Sequence, residues 1–143
     1  MNVIFDSNYF GLRALNVAKL ASTSKIYLSS EDDKVDFLKK LKMDFLYELN
    51  KISDGGGVIT NIVMATESYS WRKEIFPEYK ANREKKNDVD FNSFYEIMDK
   101  FLDYLMINYG VIKSKVEGAE GDDLIFLWSN VFMSKKSNTL ILT

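Results

Sequence analysis

The sequence predicts an α/β fold with a mainly parallel central sheet flanked by helices. Three observations predict it. Short, unbroken apolar runs recur along the 143 residues, as strands covered on both faces require. Longer stretches between them carry apolar residues at helical spacing. Glycine or polar clusters separate the two kinds of segment, and such alternation is the pattern of parallel strands joined by crossover helices.

The first run, Val3-Ile4-Phe5, gives a strand over residues 2–5 that leads into Asp6-Ser7-Asn8. A helix over about residues 9–21 follows. In an open α/β sheet ligands bind beyond the carboxyl ends of strands, which is where Asp6 falls. Taken alone, Asp6 or Ser7 is more readily read as a cap of the next helix. Residues 22–30 form a polar connection with an extended piece at Lys25-Ile26-Tyr27-Leu28. Ser30 followed by Asp33 is a helix start, and Val35, Leu38, Leu41, Phe45, Leu49 and Ile52 continue at helical spacing. Gly55-Gly56-Gly57 ends that helix; without a following Gly-Lys-Ser/Thr it is a turn and not a phosphate loop.

Residues 58–64 read as the second strand. Phe91, Phe94, Tyr95, Met98, Phe101, Leu102 and Leu105 define an amphipathic helix whose aromatics belong to the core. Gly110 ends it, and residues 111–116 return to the sheet. A turn at Gly118 leads to a helix from Glu120 or Gly121 to about residue 132, and residues 139–143 give a last buried strand. The whole reads as a single domain over 1–143, long enough to bury a core.

Composition excludes much chemistry. There is no Cys and no His. Thiolate zinc sites, cysteine nucleophiles, histidine bases and nitrogen-held metals are therefore ruled out. A metal held by this chain would be bound by oxygen, which points to Mg²⁺ or Mn²⁺. No apolar run reaches the length of a membrane span, and the amino terminus lacks the features of a signal peptide. A cytoplasmic protein with no membrane partner is the expectation. The net charge of −2 leaves room only for local basic patches in nucleic-acid binding.

Two segments carry the chemistry. In Glu117-Gly118-Ala119-Glu120-Gly121-Asp122-Asp123, four carboxylates crowd the start of a helix. The macrodipole favours acids there, so capping accounts for one or two of them. Like charges this close repel unless something positive lies among them, and a hard divalent cation serves as well. The second segment runs over residues 71–86. Arg72, Lys73, Lys80, Arg83, Lys85 and Lys86 outnumber Glu74, Glu78 and Glu84, with Trp71, Phe76 and Tyr79 between them. Basic residues neutralise phosphates and aromatics stack on bases, the composition of a single-strand-binding segment. An exposed mixed-charge helix has the same composition. Both segments and Asp6 follow strand ends, the layout of a metal-dependent phosphodiesterase.

These residues resemble the 5′-nuclease family of flap endonucleases and 5′-3′ exonucleases, and most nearly its phage RNase H branch. The matching segments are Asp6-Ser7-Asn8-Tyr9-Phe10-Gly11-Leu12-Arg13, the run from Trp71-Arg72 through Phe76-Pro77-Glu78-Tyr79-Lys80-Ala81-Asn82-Arg83, and Gly118-Ala119-Glu120-Gly121-Asp122-Asp123. The resemblance implies a PIN-like catalytic domain with residues 71–90 as a helical arch. It implies Mg²⁺ or Mn²⁺, two ions in the complete site, held by Asp6, Glu120, Asp122 and Asp123. Lys80 and Arg83 would act on the scissile phosphate. Arg13, Arg72, Lys73, Tyr79, Lys85 and Lys86 would bind nucleic acid. The implied activity is hydrolysis of DNA or RNA/DNA hybrid at a 5′ end or flap, including removal of RNA primers in phage DNA replication.

Two departures stand out. Met64 and Ala65 occupy the place where the family carries an acid after the second strand, and Glu67, the nearest acid, is at a different spacing. The family's Asp-x-Asp pair would begin at Thr143. The chain thus reads as an amino-terminal portion, a poor nuclease until a carboxyl-terminal half, on a separate chain if the protein is split, completes the site. The alternatives are a non-catalytic nucleic-acid-binding or partner-binding fragment and, less well matched, a PIN-type ribonuclease.

Overall fold

A computed structural model describes residues 1–68, 75, 78 and 88–143. The chain divides into two compact units. One comprises Met1–Asn8, Ile59–Lys85 and Val111–Thr143, and the other Tyr9–Val58 and Lys86–Gly110.

The first unit is built on a four-stranded sheet of β1 (Asn2–Asp6), β2 (Asn61–Ala65), β3 (Ile112–Ser114) and β4 (Thr139–Leu142), in the order β3-β2-β1-β4. Every pairing is parallel, so all four carboxyl ends share one edge. Asp6 pairs with Ala65, Ala65 with Ser114, and Phe5 with Leu142. At the opposite edge the buried Asn2 amide ties three segments together. It donates to Ser137 Oγ at 2.7 Å and accepts from Asn61 Nδ2 at 2.8 Å and Thr60 Oγ1 at 3.2 Å.

One helix of this unit, α4 (Gly121–Ser134), covers a sheet face through Leu124, Ile125 and Phe132, which pack with Ile4, Val63 and Ala65. Ile4 thus faces α4. Strand side chains alternate, so Asp6 two residues on projects from the same face. The Trp128 indole N–H donates to Ser114 Oγ at 2.9 Å and fixes the helix over β3.

The second unit is helical: most of α1 (Ser7–Ala18), α2 (Glu31–Asp54) and α3 (Phe91–Tyr109). Phe37 meets Phe94 at 5.9 Å between ring centroids, and Phe45 meets Phe101 edge-on at 6.3 Å. These ring pairs, with Leu41 and Leu105, are wholly buried and form its core. Ser30 caps α2 by accepting from the Asp33 N–H, as its sequence position predicts, and Asp90 caps α3 through Ser93. Gly110 closes α3 in the left-handed conformation at φ 64°, where a Cβ would be strained.

The connection before α2 is ordered by Asp33, a residue only 8% exposed. Its carboxylate accepts from Ser22 Oγ at 2.8 Å and from the Leu28 N–H at 3.2 Å. Leu28, at φ 71°, is thereby held in a conformation that branched side chains avoid. The extended piece expected at residues 25–28 reduces to a single bridge between Tyr27 and Val89.

The parallel α/β architecture agrees with the sequence reading, and several details differ. β2 begins at Asn61 because Val58, at 75% exposure, lies outside the sheet. β3 is only three residues long, since the chain after Ser114 turns toward Gly118. Val35 is exposed on α2, and Phe37 takes the inward place in the stripe Asp33-Phe37-Leu41-Phe45, spaced four apart. Tyr95 is exposed and does not join Phe94 and Phe101 in the core. β4 is half-exposed, not buried, because it is an edge strand paired only with β1.

Candidate metal and nucleic-acid site

Asp6 ends β1 with its side chain half-buried on the α4 face. Beside it, β2 ends at Ala65. Two backbone hydrogen bonds hold the loop after β2. Thr66 N–H donates to the Ser114 carbonyl at 2.8 Å, and Ser68 N–H to the Ala119 carbonyl at 3.1 Å. The chain leaving β3 turns at Gly118, where φ of 83° suits a residue without Cβ, and Ala119 N–H closes the turn on Val116 at 3.0 Å. That turn delivers Glu120 to the N-cap of α4 and Gly121 to its first position.

Gly121 marks where these pieces meet. A Cβ there would lie 3.5 Å from Asp6 Oδ1, 3.5 Å from Glu67 Cγ and 3.8 Å from the Ala65 carbonyl oxygen. Asp6 is thus brought against the acidic start of α4, as its strand-end position predicts. Glu120 is 7% exposed, Asp123 half-buried and Asp122 exposed. The Asp123 carboxylate accepts the Glu120 N–H at 3.0 Å, half of a capping box. Capping therefore accounts for part of the acidic cluster, with Glu120 at the cap and Asp123 in the first turn of α4.

Whether a divalent cation suits these residues turns on space and donor type. Among the described residues no group of three or more acidic side chains gathers closely enough to cage an ion. The absence of Cβ at position 121 nevertheless leaves room beside Asp6 Oδ1 and the Glu67 methylene, and with neither His nor Cys in the chain its side chains can offer a metal only oxygen. Mg²⁺ is commonly bound through one or two carboxylates while keeping several waters. The residues suit such an ion better than a fully enclosed one.

Glu67 is the acid nearest the place where the family carries one, at a different spacing. Counting from the end of β2 finds it: Glu67 is two residues past Ala65, and its longer side chain reaches Gly121. Asn8 Nδ2 donates to its Oε2 at 3.4 Å. Arg13 belongs to the helical unit, where its exposed guanidinium lies 4.0 Å from Glu48 Oε1. Arg72, Lys73, Tyr79, Lys80, Arg83, Lys85 and Lys86 lie outside the described residues, with most of the expected arch over 71–90; Ile75 and Glu78 are exposed. A cavity of about 350 Å³ in the helical unit is lined by Tyr27, Asp32, Asp33, Asp36 and Lys40 among others, none of them a predicted site residue. No helix among the described residues is long and apolar enough to cross a membrane.

No family model and no curated protein matches the sequence. Solved structures do. One is the bacteriophage T5 5′-exonuclease with zinc bound, matched at TM-score 0.62 and 13% identity over 99% of this chain and 48% of that one. Another is a T5 protein co-crystallised with metal ions, at TM-score 0.61 and 15% identity over 98% and 47%. A third is the T5 flap endonuclease in a pseudo-enzyme–product complex with DNA and metal ions, at TM-score 0.58 and 12% identity, also over 98% and 47%. The chain has the fold of the 5′-nuclease catalytic domain, and it spans about half the length of these structures.

Proposed function

We propose that this chain is the amino-terminal part of a metal-dependent 5′ nuclease acting on DNA or RNA/DNA hybrid at a 5′ end or flap. The observation that carries the reading is the meeting of Asp6 with the acidic head of α4 at Gly121, on the carboxyl edge of an all-parallel sheet. The matched fold supports it. Asp6, Glu120, Asp122 and Asp123 would hold Mg²⁺ or Mn²⁺, directly or through water. A divalent cation supplies an activated water and stabilises charge in phosphodiester hydrolysis, two ions roughly 4 Å apart serving both entering and leaving oxygens.

The protein's own residues bind and orient. Lys80 and Arg83 would take the scissile phosphate, and Tyr79 would stack on a neighbouring base. Arg13, Arg72, Lys73, Lys85 and Lys86 would contact the strand. Acids able to hold a second ion are few, so full activity would need a further polypeptide that completes the site.

Cleavage of a labelled 5′-flap substrate tests this, comparing Mg²⁺ with EDTA and the parent with Asp6→Asn. Slow, Mg²⁺-dependent cleavage lost in Asp6→Asn is expected. Cleavage that survives both EDTA and Asp6→Asn would overturn it. The lack of a three-acid group among the described residues favours one second reading, a nucleic-acid-binding module without catalysis. Flap binding with no cleavage under any metal condition would select that reading.

A further inference from the structure

The cavity of the helical unit lies between the end of α1, the connection after it and the start of α2. Asp32, Asp33 and Asp36 line it. The helix dipole favours acids in the first turn, which covers Asp32 and Asp33, and Asp33 also orders the connection. Neither duty covers Asp36, one turn further on. Asp32 and Asp36 are exposed and form no hydrogen bond or ion pair within the described residues. Lys40, a cation of the same lining, is engaged at 3.0 Å by Asp44.

Tyr27 shows what the cavity lacks. Its ring stands edge-on to Phe37 at 6.3 Å, and its backbone N–H and carbonyl are bonded to Asp88 and Asp90. The residue is only 4% exposed, yet its hydroxyl makes no hydrogen bond. Among the described residues no side-chain oxygen or nitrogen sealed from solvent lacks a partner, so this hydroxyl opens on the cavity that Tyr27 lines. Burial, then the charges of Asp33 and Asp36, push the phenol up to about 12. It therefore stays neutral at pH 7, an unused donor and acceptor amid negative charge.

We propose that this cavity binds a short aliphatic diamine. An ammonium group brings three donors and no acceptor, the complement of carboxylates and a phenol oxygen. Two unpaired carboxylates one turn apart match two positive charges, and Ala18 and Ala21 offer the alkyl chain an apolar wall. A metal ion fits less well. No group of three acids among the described residues is placed to hold one, and about 350 Å³ is small-molecule space.

Nuclear magnetic resonance titration of the full 143-residue chain with 1,4-diaminobutane, at fixed ionic strength, tests this. Saturable shifts of the backbone amides over residues 18–36 are expected. 1,4-Butanediol, of the same length without charge, should produce none. Tyr27→Phe removes a hydroxyl that bonds nothing in the protein, so the fold should stand while affinity falls several-fold. Asp36→Asn, at an exposed position, should weaken binding by about tenfold or more. The proposal is overturned if the diamine gives no saturable shift, or if both variants bind it as the parent does. Equal shifts with butanediol overturn it as well. So do shifts produced by Mg²⁺ in place of the diamine and lost in Asp36→Asn, which would make the cavity a metal site.

Discussion

Asp123 accepts the Glu120 backbone N–H at 3.0 Å, so one of the clustered acids serves the helix whatever else it does. The two duties separate by substitution. Asp123→Ala removes the acceptor and should cost about 1 kcal/mol, the usual worth of an N-terminal cap. Asp123→Asn keeps an oxygen acceptor and should melt close to the parent in EDTA. Combined with Asp122→Asn, it should abolish the rise in melting temperature caused by Mg²⁺ or Mn²⁺. Circular dichroism melts with EDTA and with metal read both effects.

Gly121→Ala isolates space from charge. The added methyl would make only ordinary contacts, and alanine suits a helix better than glycine. Stability in EDTA should hold or rise. The parent should gain about 2.7 kcal/mol at a metal concentration one hundred times its Kd, whereas the variant, with the room beside Asp6 filled, should gain little. Scanning fluorimetry across a Mn²⁺ series checks the contrast.

The basic and aromatic segment should bind single strands weakly and with steep salt dependence. Lys80→Ala and Arg83→Ala should lower affinity and flatten the salt slope. Tyr79→Ala should remove about 1–3 kcal/mol of stacking with little change in slope. Fluorescence anisotropy with a labelled oligonucleotide at several salt concentrations distinguishes the charge term from the stacking term. Unchanged binding in the triple variant would reduce the segment to a solvated helix.

Asp33 governs acid sensitivity in the helical unit. Burial pushes its carboxyl up, but hydrogen bonds from Ser22, Ser24, Leu28 and Ser30 outweigh burial and hold it below its ordinary value. A carboxylate whose folded value is lowered adds stability above its unfolded value, near pH 4, and loses it as pH falls through the folded one. Asp33→Ala should therefore cost roughly 2 kcal/mol at pH 7, because the Leu28 N–H and Ser22 hydroxyl lose their acceptor. It should also make the acid limb below pH 4 shallower. Urea melts from pH 2 to 7 measure both.

The strands and the cap of α2 were legible where local chemistry decides them. Val3-Ile4-Phe5 reads as a covered strand and Ser30 with Asp33 as a helix start, and both are found. Burial was less legible, because it depends on which face a neighbour takes. Val35 and Phe37 are both apolar and two apart on α2, and only packing puts Phe37 inside. The site was half legible for a related reason. Asp6 and the α4 acids follow from strand ends and local clustering. Glu67 depends on where β2 stops, at Ala65 and one residue beyond the end read from the sequence. The part-buried Ser7–Thr66 bond joins residues 59 apart and left no local signal.

β1 lies inside the sheet, yet its second neighbour comes from far along the sequence: Asn2 pairs with Thr139. On the ribosome its β4 side must stay unpaired until that strand emerges, several seconds later at roughly 5–20 residues per second. The helical core, complete by residue 110, can form in the interval. An interrupted chain would present the apolar Val3-Ile4-Phe5 edge to any other strand in reach. Premature stops before residue 139 should accordingly yield aggregates in place of a soluble fragment, and pelleting of stalled translation products would show it.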